Sequence, residues 1–445
     1  MRTWKDAAIG LGLLLAAAPA AGGPLTLRDA IERGLAGSPA LEVADQDRAR
    51  AVAGVARARA AFFPRLEASY GYARSDQPVF AFGSKLNQGN FTSGDFELDR
   101  LNHPGPVDNF RTAVTLHQPL FTSGRASLGL EQAELDREMA ELHSSRARQE
   151  VVFQVARAYF GLQLAQERLR AVDASLRAAE ANLALARSRY RAGLVVESDV
   201  LAAEVRLARL REDASSAGAR LTVAQAALND AMGLPLDEPQ VAVEPLALRA
   251  ARDVADVTAE TQERRPDYRA LLVEERARER GVRLARSAFL PTIGLEGTYE
   301  RNTDGPIADG QESWSVMAVL RWNLFNGGAD QARAREAEAL RDRTRAVRAR
   351  AASLIGLEAR EARARWLTAR ERAGVAERAI AQAEETLRIV QVRYRGGLAT
   401  VLDLLTAEAA LTESRTRLTE AVHDYNVALA AWELALGRLD PSSLP

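Results

Sequence analysis

The chain has 445 residues, with 59 Lys plus Arg against 60 Asp plus Glu, a formal net charge of −1 and no cysteine. That length allows two or three domains, while the balanced charge, with Arg interleaved among Glu, removes the basic footprint that nucleic-acid binding requires. Without cysteine there are no disulfides and no thiolate metal site, and His103, His117, His143 and His423 stand without ligand spacing, as isolated surface or interface histidines do.

Residues 1–20 read as a secretory signal peptide. Arg2 and Lys5 supply the positive end, and Ala7 to Ala18 is an apolar run too short to span a bilayer. Ala18-Pro19-Ala20 fits a small-residue cleavage site, so the mature chain would start near Ala21. A buried N-terminal helix is the alternative. No later stretch approaches about 18 apolar residues, so a membrane location would require a β-barrel.

Each half then follows one plan. A short helix covers Leu25 to Leu35, and Pro39 opens a second helix that Pro64 stops. Residues 66–74 alternate, with Leu66, Ala68, Tyr70 and Tyr72 opposite Glu67, Ser69, Gly71 and Ala73. A long loop, Ser75 to Asn109, follows. Residues 110–118 alternate again, with Phe110, Thr112, Val114 and Leu116 opposite Arg111, Ala113, Thr115 and His117. From Gly124 to Tyr190 the pattern is helical without a proline, about 67 residues or roughly 100 Å. After a turn, Ser198 to Met232 returns as a helix of about 35 residues.

A linker with Pro235, Pro239 and Pro245 leads to a short helix from about Asp253. The second half has strands at about 293–301 and 313–322, joined by the short loop Asn302 to Glu312. Helices at 328–394 and 402–436 complete it. The division is a signal peptide (1–20), a first repeat (21–233), a linker (234–262), a second repeat (263–437) and a C-terminal tail (438–445).

The halves are copies. Phe62-Phe63-Pro64 recurs as Phe289-Leu290-Pro291 at an offset of 227 residues. Leu120-Phe121-Thr122-Ser123-Gly124 recurs as Leu324-Phe325-Asn326-Gly327-Gly328, and Tyr190-Arg191-Ala192-Gly193-Leu194 as Tyr394-Arg395-Gly396-Gly397-Leu398, at an offset of 204. One deletion between the blocks explains the difference. A unit of this size implies two equivalent halves, not a short solenoid repeat.

Each strand is long enough to cross a bilayer when tilted. Tyr72, Phe110, Tyr299, Trp314 and Trp322 lie near strand ends, where aromatic girdles sit. An ordinary soluble β-meander has the same alternation. Four strands cannot close a membrane barrel, which needs about eight, so further copies would have to supply strands.

The chain resembles TolC-type outer-membrane efflux proteins across the span from about Leu25 to Gly437. The carriers are Gln118-Pro119-Leu120-Phe121, Trp322-Asn323-Leu324-Phe325 and the two turn motifs, followed by Asp199 and Asp403. The resemblance implies a mainly α fold with a small transmembrane β part. In such proteins a homotrimer forms a twelve-stranded outer-membrane barrel and an α-helical tunnel through the periplasm. It implies outer-membrane lipid, a periplasmic adaptor protein and an inner-membrane pump as partners, and no cofactor or metal. The turns Gly193, Leu194, Val195 and Gly397, Leu398, Ala399 would be the adaptor-docking tips. Tyr394 matches a gate tyrosine, Asp199 its hydrogen-bond partner on the neighbouring hairpin, and Asp403 a carboxylate of the narrowest ring. Ala399 and Thr406 stand where well-known members carry a gate arginine and a second ring carboxylate. For Asp199 and Asp403 a plain helix N-terminal charge is a reading compatible with the gate role, and for Tyr394 and Tyr190 the alternative is an aromatic packed at a helix end, which fits Tyr190 better than Tyr394.

There is no catalytic constellation: no phosphate-binding glycine loop, nucleophile elbow or zinc motif. Three readings compete: an outer-membrane exit duct, a soluble periplasmic coiled-coil scaffold or adaptor, and a hydrolase with a helical accessory domain. The duplicated strand pairs favour the duct. Whether its cargo is a drug, a metal ion, a solvent or a protein is not written in the residues.

Overall fold

The computed structural model describes residues 24–251 and 259–441; the expected signal peptide and the start of the helix expected near Asp253 lie outside them. In chain order the elements are β1 (Pro24–Leu25), α1 (Leu27–Gly37), α2 (Pro39–Arg59), β2 (Arg65–Ser75), α3 (Pro78–Gln88), α4 (Leu98–Asn102), β3 (Val107–Phe121), α5 (Arg125–Arg191), α6 (Glu197–Met232), β4 (Val241–Ala242), α7 (Ala259–Arg264), α8 (Pro266–Arg286), β5 (Thr292–Thr303), β6 (Gly310–Arg321), α9 (Ala329–Arg395) and α10 (Val401–Ala435). They form two compact units, each drawing on both halves. Among the described residues, a helical unit takes 24–41, 147–251, 259–261 and 357–441; a sheet unit takes Glu42–Arg146 and Gln262–Gly356.

Among the described residues the helical unit packs around three small apolar clusters set among alanines. In the first, Leu25, Ile31, Val155, Tyr159, Phe160, Leu228 and Met232 pack together. The Tyr159 hydroxyl donates to the Leu25 carbonyl at 2.9 Å, and burial pushes its pKa up, so it stays a donor. The parallel pair β1–β4 lies here. At two residues per strand it has no period for sequence reasoning to find. Gly233 ends α6 at φ +73°, and a Cβ there would stand 2.1 Å from the Gly37 carbonyl oxygen. In the second core, Trp366, Tyr425, Leu429 and Trp432 are buried among Ala359, Ala362 and Ala369. In the third, Leu183, Leu207 and Leu210 lock α5 to α6 through Ala179, Ala186 and Ala203, where small side chains let the backbones approach.

The sheet unit is built on four antiparallel strands in the order β2-β3-β5-β6. The middle pairing, β3 with β5, joins the two repeats. β2 and β6 are edges. At 11, 15, 12 and 12 residues the strands outrun their clean alternation. The register puts like with like. Ala68, Val114, Tyr299 and Trp314 form one row, and Leu66, Leu116, Gly297 and Val316 the next, all on one apolar face. Glu67, Thr115, Thr298 and Ser315 form a row of the other face. On that polar face Arg111 Nε meets Glu300 at 2.6 Å and Arg321 meets Glu296 at 2.5 Å. Tyr72 packs on Phe110 with ring centres 4.7 Å apart at one end of the apolar band.

Beneath the strands, α8 is held by ion pairs to both long helices. Arg276 reaches Glu138 and Arg280 reaches Glu131 on α5, while Glu275 receives Arg345 and Arg348 from α9. The segment expected as a long loop instead contains α3 and α4. Its Gly and Pro content pointed to a loop. What orders it is tertiary: buried Gln88 donates to the Asp108 carbonyl (2.7 Å), Asn109 Oδ1 (2.9 Å) and the Thr303 carbonyl (3.3 Å).

The two faces differ in tolerance. Val114→Arg, in the middle of the apolar face, costs about 2–4 kcal/mol in a bilayer, whereas Thr298→Arg on the polar face leaves insertion intact. Denaturant titration of each variant in phospholipid vesicles measures the difference. Equal loss for both would contradict the facial assignment.

Candidate functional site

The two hairpin tips are built by the same local chemistry. α5 stops at Arg191 and α9 at Arg395 because Gly193 (φ +69°) and Gly397 (φ +72°) adopt the left-handed conformation. The turn closes with Gly193 N–H to the Tyr190 carbonyl (2.9 Å) and Leu194 N–H to the Arg189 carbonyl (2.9 Å). Its copy closes with Gly397 N–H to Tyr394 (3.2 Å) and Leu398 N–H to Arg393 (2.8 Å). Leu194 is 73% exposed and Leu398 74%, with Val196 and Leu402 beside them also exposed. Val195 and Ala399 are half-buried. Exposed apolar tips of this kind mark a contact surface.

The tips differ at the next helix start. Thr400 caps α10: its hydroxyl accepts from the Asp403 N–H at 3.2 Å, and the Asp403 carboxylate accepts from the Thr400 N–H and hydroxyl, both at 2.8 Å. These bonds, from backbone then side chain of Thr400, with Arg393 nearby, hold the Asp403 carboxyl below its ordinary pKa. So Asp403 serves as a cap within the chain. Asp199 occupies the matching place on α6, but its cap position is Val196, which has no side-chain oxygen to offer. The reciprocal box seen at Thr400 and Asp403 therefore cannot form at Val196 and Asp199. Tyr394 and Asp199 are not hydrogen-bonded to each other within one chain. Thr406, the position of the absent second carboxylate, bonds back to the Leu402 carbonyl at 2.7 Å.

Sequence reasoning missed the partner Tyr394 does have. The Arg189 guanidinium carbon lies 5.0 Å from the Tyr394 ring centre, joining the ends of α5 and α9. Lower on the same helices, Asn182 bonds Glu408 at 3.2 Å and Arg168 pairs with Glu420, linking α5 to α10. The repeat carried a faint signal, since an arginine precedes the tyrosine in both turns.

Between β2 and β3, Lys85 pairs with Asp95 at 2.6 Å, and Asp95 also closes a box with Thr92. The Lys85 ammonium first, then the Thr92 N–H and hydroxyl, hold the Asp95 carboxyl well below the usual carboxylate range. A depressed folded-state pKa contributes stability above the ordinary value, near pH 4, and loses it as pH falls through the folded value. Hydrogen exchange over residues 78–102, corrected for intrinsic rates, should stay slow from pH 7 to about pH 4 and quicken only below. Lys85→Ala should exchange faster at pH 7 already; unchanged exchange would show that the pair does not order the segment.

No group of three or more acidic or imidazole side chains suited to a metal occurs among the described residues, and no helix there is long and apolar enough to cross a membrane. The model of the family described as outer membrane efflux protein matches residues 30–234 and 257–438. The chain is 27% identical to the alkaline protease secretion protein AprF of Pseudomonas aeruginosa, covering 94% of this chain and 86% of that protein. It is 27% identical to the proteases secretion protein PrtF of Dickeya chrysanthemi, covering 91% and 86%. The Campylobacter jejuni outer membrane channel CmeC superposes with a TM-score of 0.78 at 16% identity, covering 94% of this chain and 86% of CmeC, which shows the fold. With two repeats, paired long hairpins and a two-faced four-stranded sheet, the chain is an outer-membrane efflux channel with a periplasmic extension, a transporter and not an enzyme, and it belongs to the outer membrane efflux protein family.

Proposed function

We propose that three copies of this chain assemble into one exit duct, each giving four strands to a common barrel. The observation that carries this reading is the sheet: one apolar face, one polar face and two unpaired edges, β2 and β6. In hydrocarbon every backbone donor and acceptor must be paired, so the edges must meet other strands. Copies of the same sheet are the simplest supply, and closed rings are the common form of homo-oligomers.

In this reading the tips carry the gate and the docking surface. Gly193, Leu194 and Val195 and their mates Gly397, Leu398 and Ala399 offer an apolar patch to a periplasmic adaptor. Tyr394, Asp199 and Asp403 ring the narrow end. An inner-membrane pump supplies the energy, so the duct has no need of a cofactor. Two relatives matched along nearly the whole chain are named for protease secretion, which favours export of a protein over efflux of a small solute.

Purified full-length protein in a planar bilayer tests the duct. The expected result is a detergent-resistant trimer with small, stable, cation-selective currents. Three copies each of Asp199 and Asp403 would set that selectivity, so Asp199→Asn with Asp403→Asn should lower it about twofold or more. A folded protein that neither trimerises nor conducts would return the soluble-scaffold reading.

A further inference from the structure

Three arginines end α5, and they differ in what holds them. Arg187 is claimed within its own hairpin by Glu204 at 2.7 Å. Arg191 turns its Nε back to the Arg187 carbonyl at 3.4 Å. Arg189 makes no ion pair among the described residues and instead lies over the Tyr394 ring, 5.0 Å from its centre. Arg393, its copy on α9, has no such ring and turns to the Leu398 carbonyl at 3.5 Å. The contact is thus not a by-product of the repeated turn; it occurs on one side only. Tyr394 in turn is half-buried, and its hydroxyl has no hydrogen-bond partner among the described residues. What the ring offers here is its face, whose quadrupole attracts a cation.

Accepting the exit-duct reading above, we infer that the Arg189 guanidinium stacked on Tyr394 is the clasp that holds the two hairpin tips of each chain together and keeps the narrow end shut. Among the described residues no hydrogen bond or ion pair links α5 to α9 nearer the turns than this contact. The nearest links between α5 and the second hairpin are Asn182–Glu408 and Arg168–Glu420, farther from the turns. Leu194 and Leu398 beyond the clasp are exposed, so a protein docking on them gains leverage on the helix ends without first breaking a buried core. A single cation–ring contact at a half-buried site is individually weak, so three such clasps suit a closure that docking must reverse.

A clasp made by the ring face separates from a latch made by the hydroxyl. In planar bilayers carrying the full-length protein, Arg189→Ala and Tyr394→Leu should each raise the time-averaged current about tenfold, three weak contacts being lost together. Tyr394→Phe keeps the face and should stay within about twofold of the unmodified protein. Arg189→Lys, a cation with poorer stacking, should fall between. Because the chain has no native cysteine, Arg189→Cys with Tyr394→Cys can be bridged by a bifunctional maleimide. Bridging should return the current to the closed level even if the unbridged variant leaks through a loosened tip. The inference is overturned if Tyr394→Phe opens the duct as far as Tyr394→Leu, if Arg189→Ala changes nothing, or if bridging leaves the current high. Absence of current in every form, from folded trimer, would instead defeat the exit-duct reading itself.

Discussion

A sheet with two different faces and two open edges cannot rest in any one solvent. Its apolar rows, Ala68-Val114-Tyr299-Trp314 and Leu66-Leu116-Gly297-Val316, are adapted to hydrocarbon, while the Arg111–Glu300 and Arg321–Glu296 pairs opposite are adapted to water. Hydrocarbon forbids the unpaired N–H and C=O groups along β2 and β6. Only closure satisfies both demands, because a closed wall gives each face its own medium and removes the edges. The duplication serves the same end: β3 of one repeat pairs with β5 of the other, so one chain presents a four-stranded panel in place of two isolated strand pairs.

The helical elements solve a different problem. α5 and α9 are 67 residues each, far longer than a helix in a compact core. Their stability cannot come from one large core, so it is distributed. Small clusters of Leu, Val and aromatic side chains set among alanines recur along the helical unit. In the sheet unit, Arg–Glu pairs between α8 and its neighbours, partly open to solvent, add a polar seam. Such pairs are individually weak and salt-sensitive, which makes them better at setting register than at setting stability.

The tips show how two copies of one motif acquire separate duties. Both turns keep the left-handed glycine and the exposed leucine, since those fix the reversal and the outer surface. They diverge at the residue before each returning helix. Thr400 turns Asp403 inward to cap α10, and Val196 leaves Asp199 without that task. They diverge again at the arginine before the tyrosine, which reaches a neighbouring ring from α5 and only a carbonyl from α9.

The sequence alone determined what is local and periodic. Alternation at Leu66, Ala68, Tyr70 and Tyr72 set which side chains share a face, proline-free helical runs set the long hairpins, and glycine at 193 and 397 set their turns. The repeat offset showed that the halves match, and the motifs at 118–121 and 322–325 pointed to the family. Tertiary structure alone decided which strand lies beside which, the register that gathers the apolar rows, and the parallel pair of Pro24–Leu25 with Val241–Ala242. It also ordered α3 around Gln88 and placed Arg189 on Tyr394. The division has a plain cause. Periodicity and backbone preference act between residues a few positions apart and are written into every short window. A buried glutamine bonded to a carbonyl 215 residues away, or a cation over a ring on another helix, depends on where the chain returns, and no short window contains that.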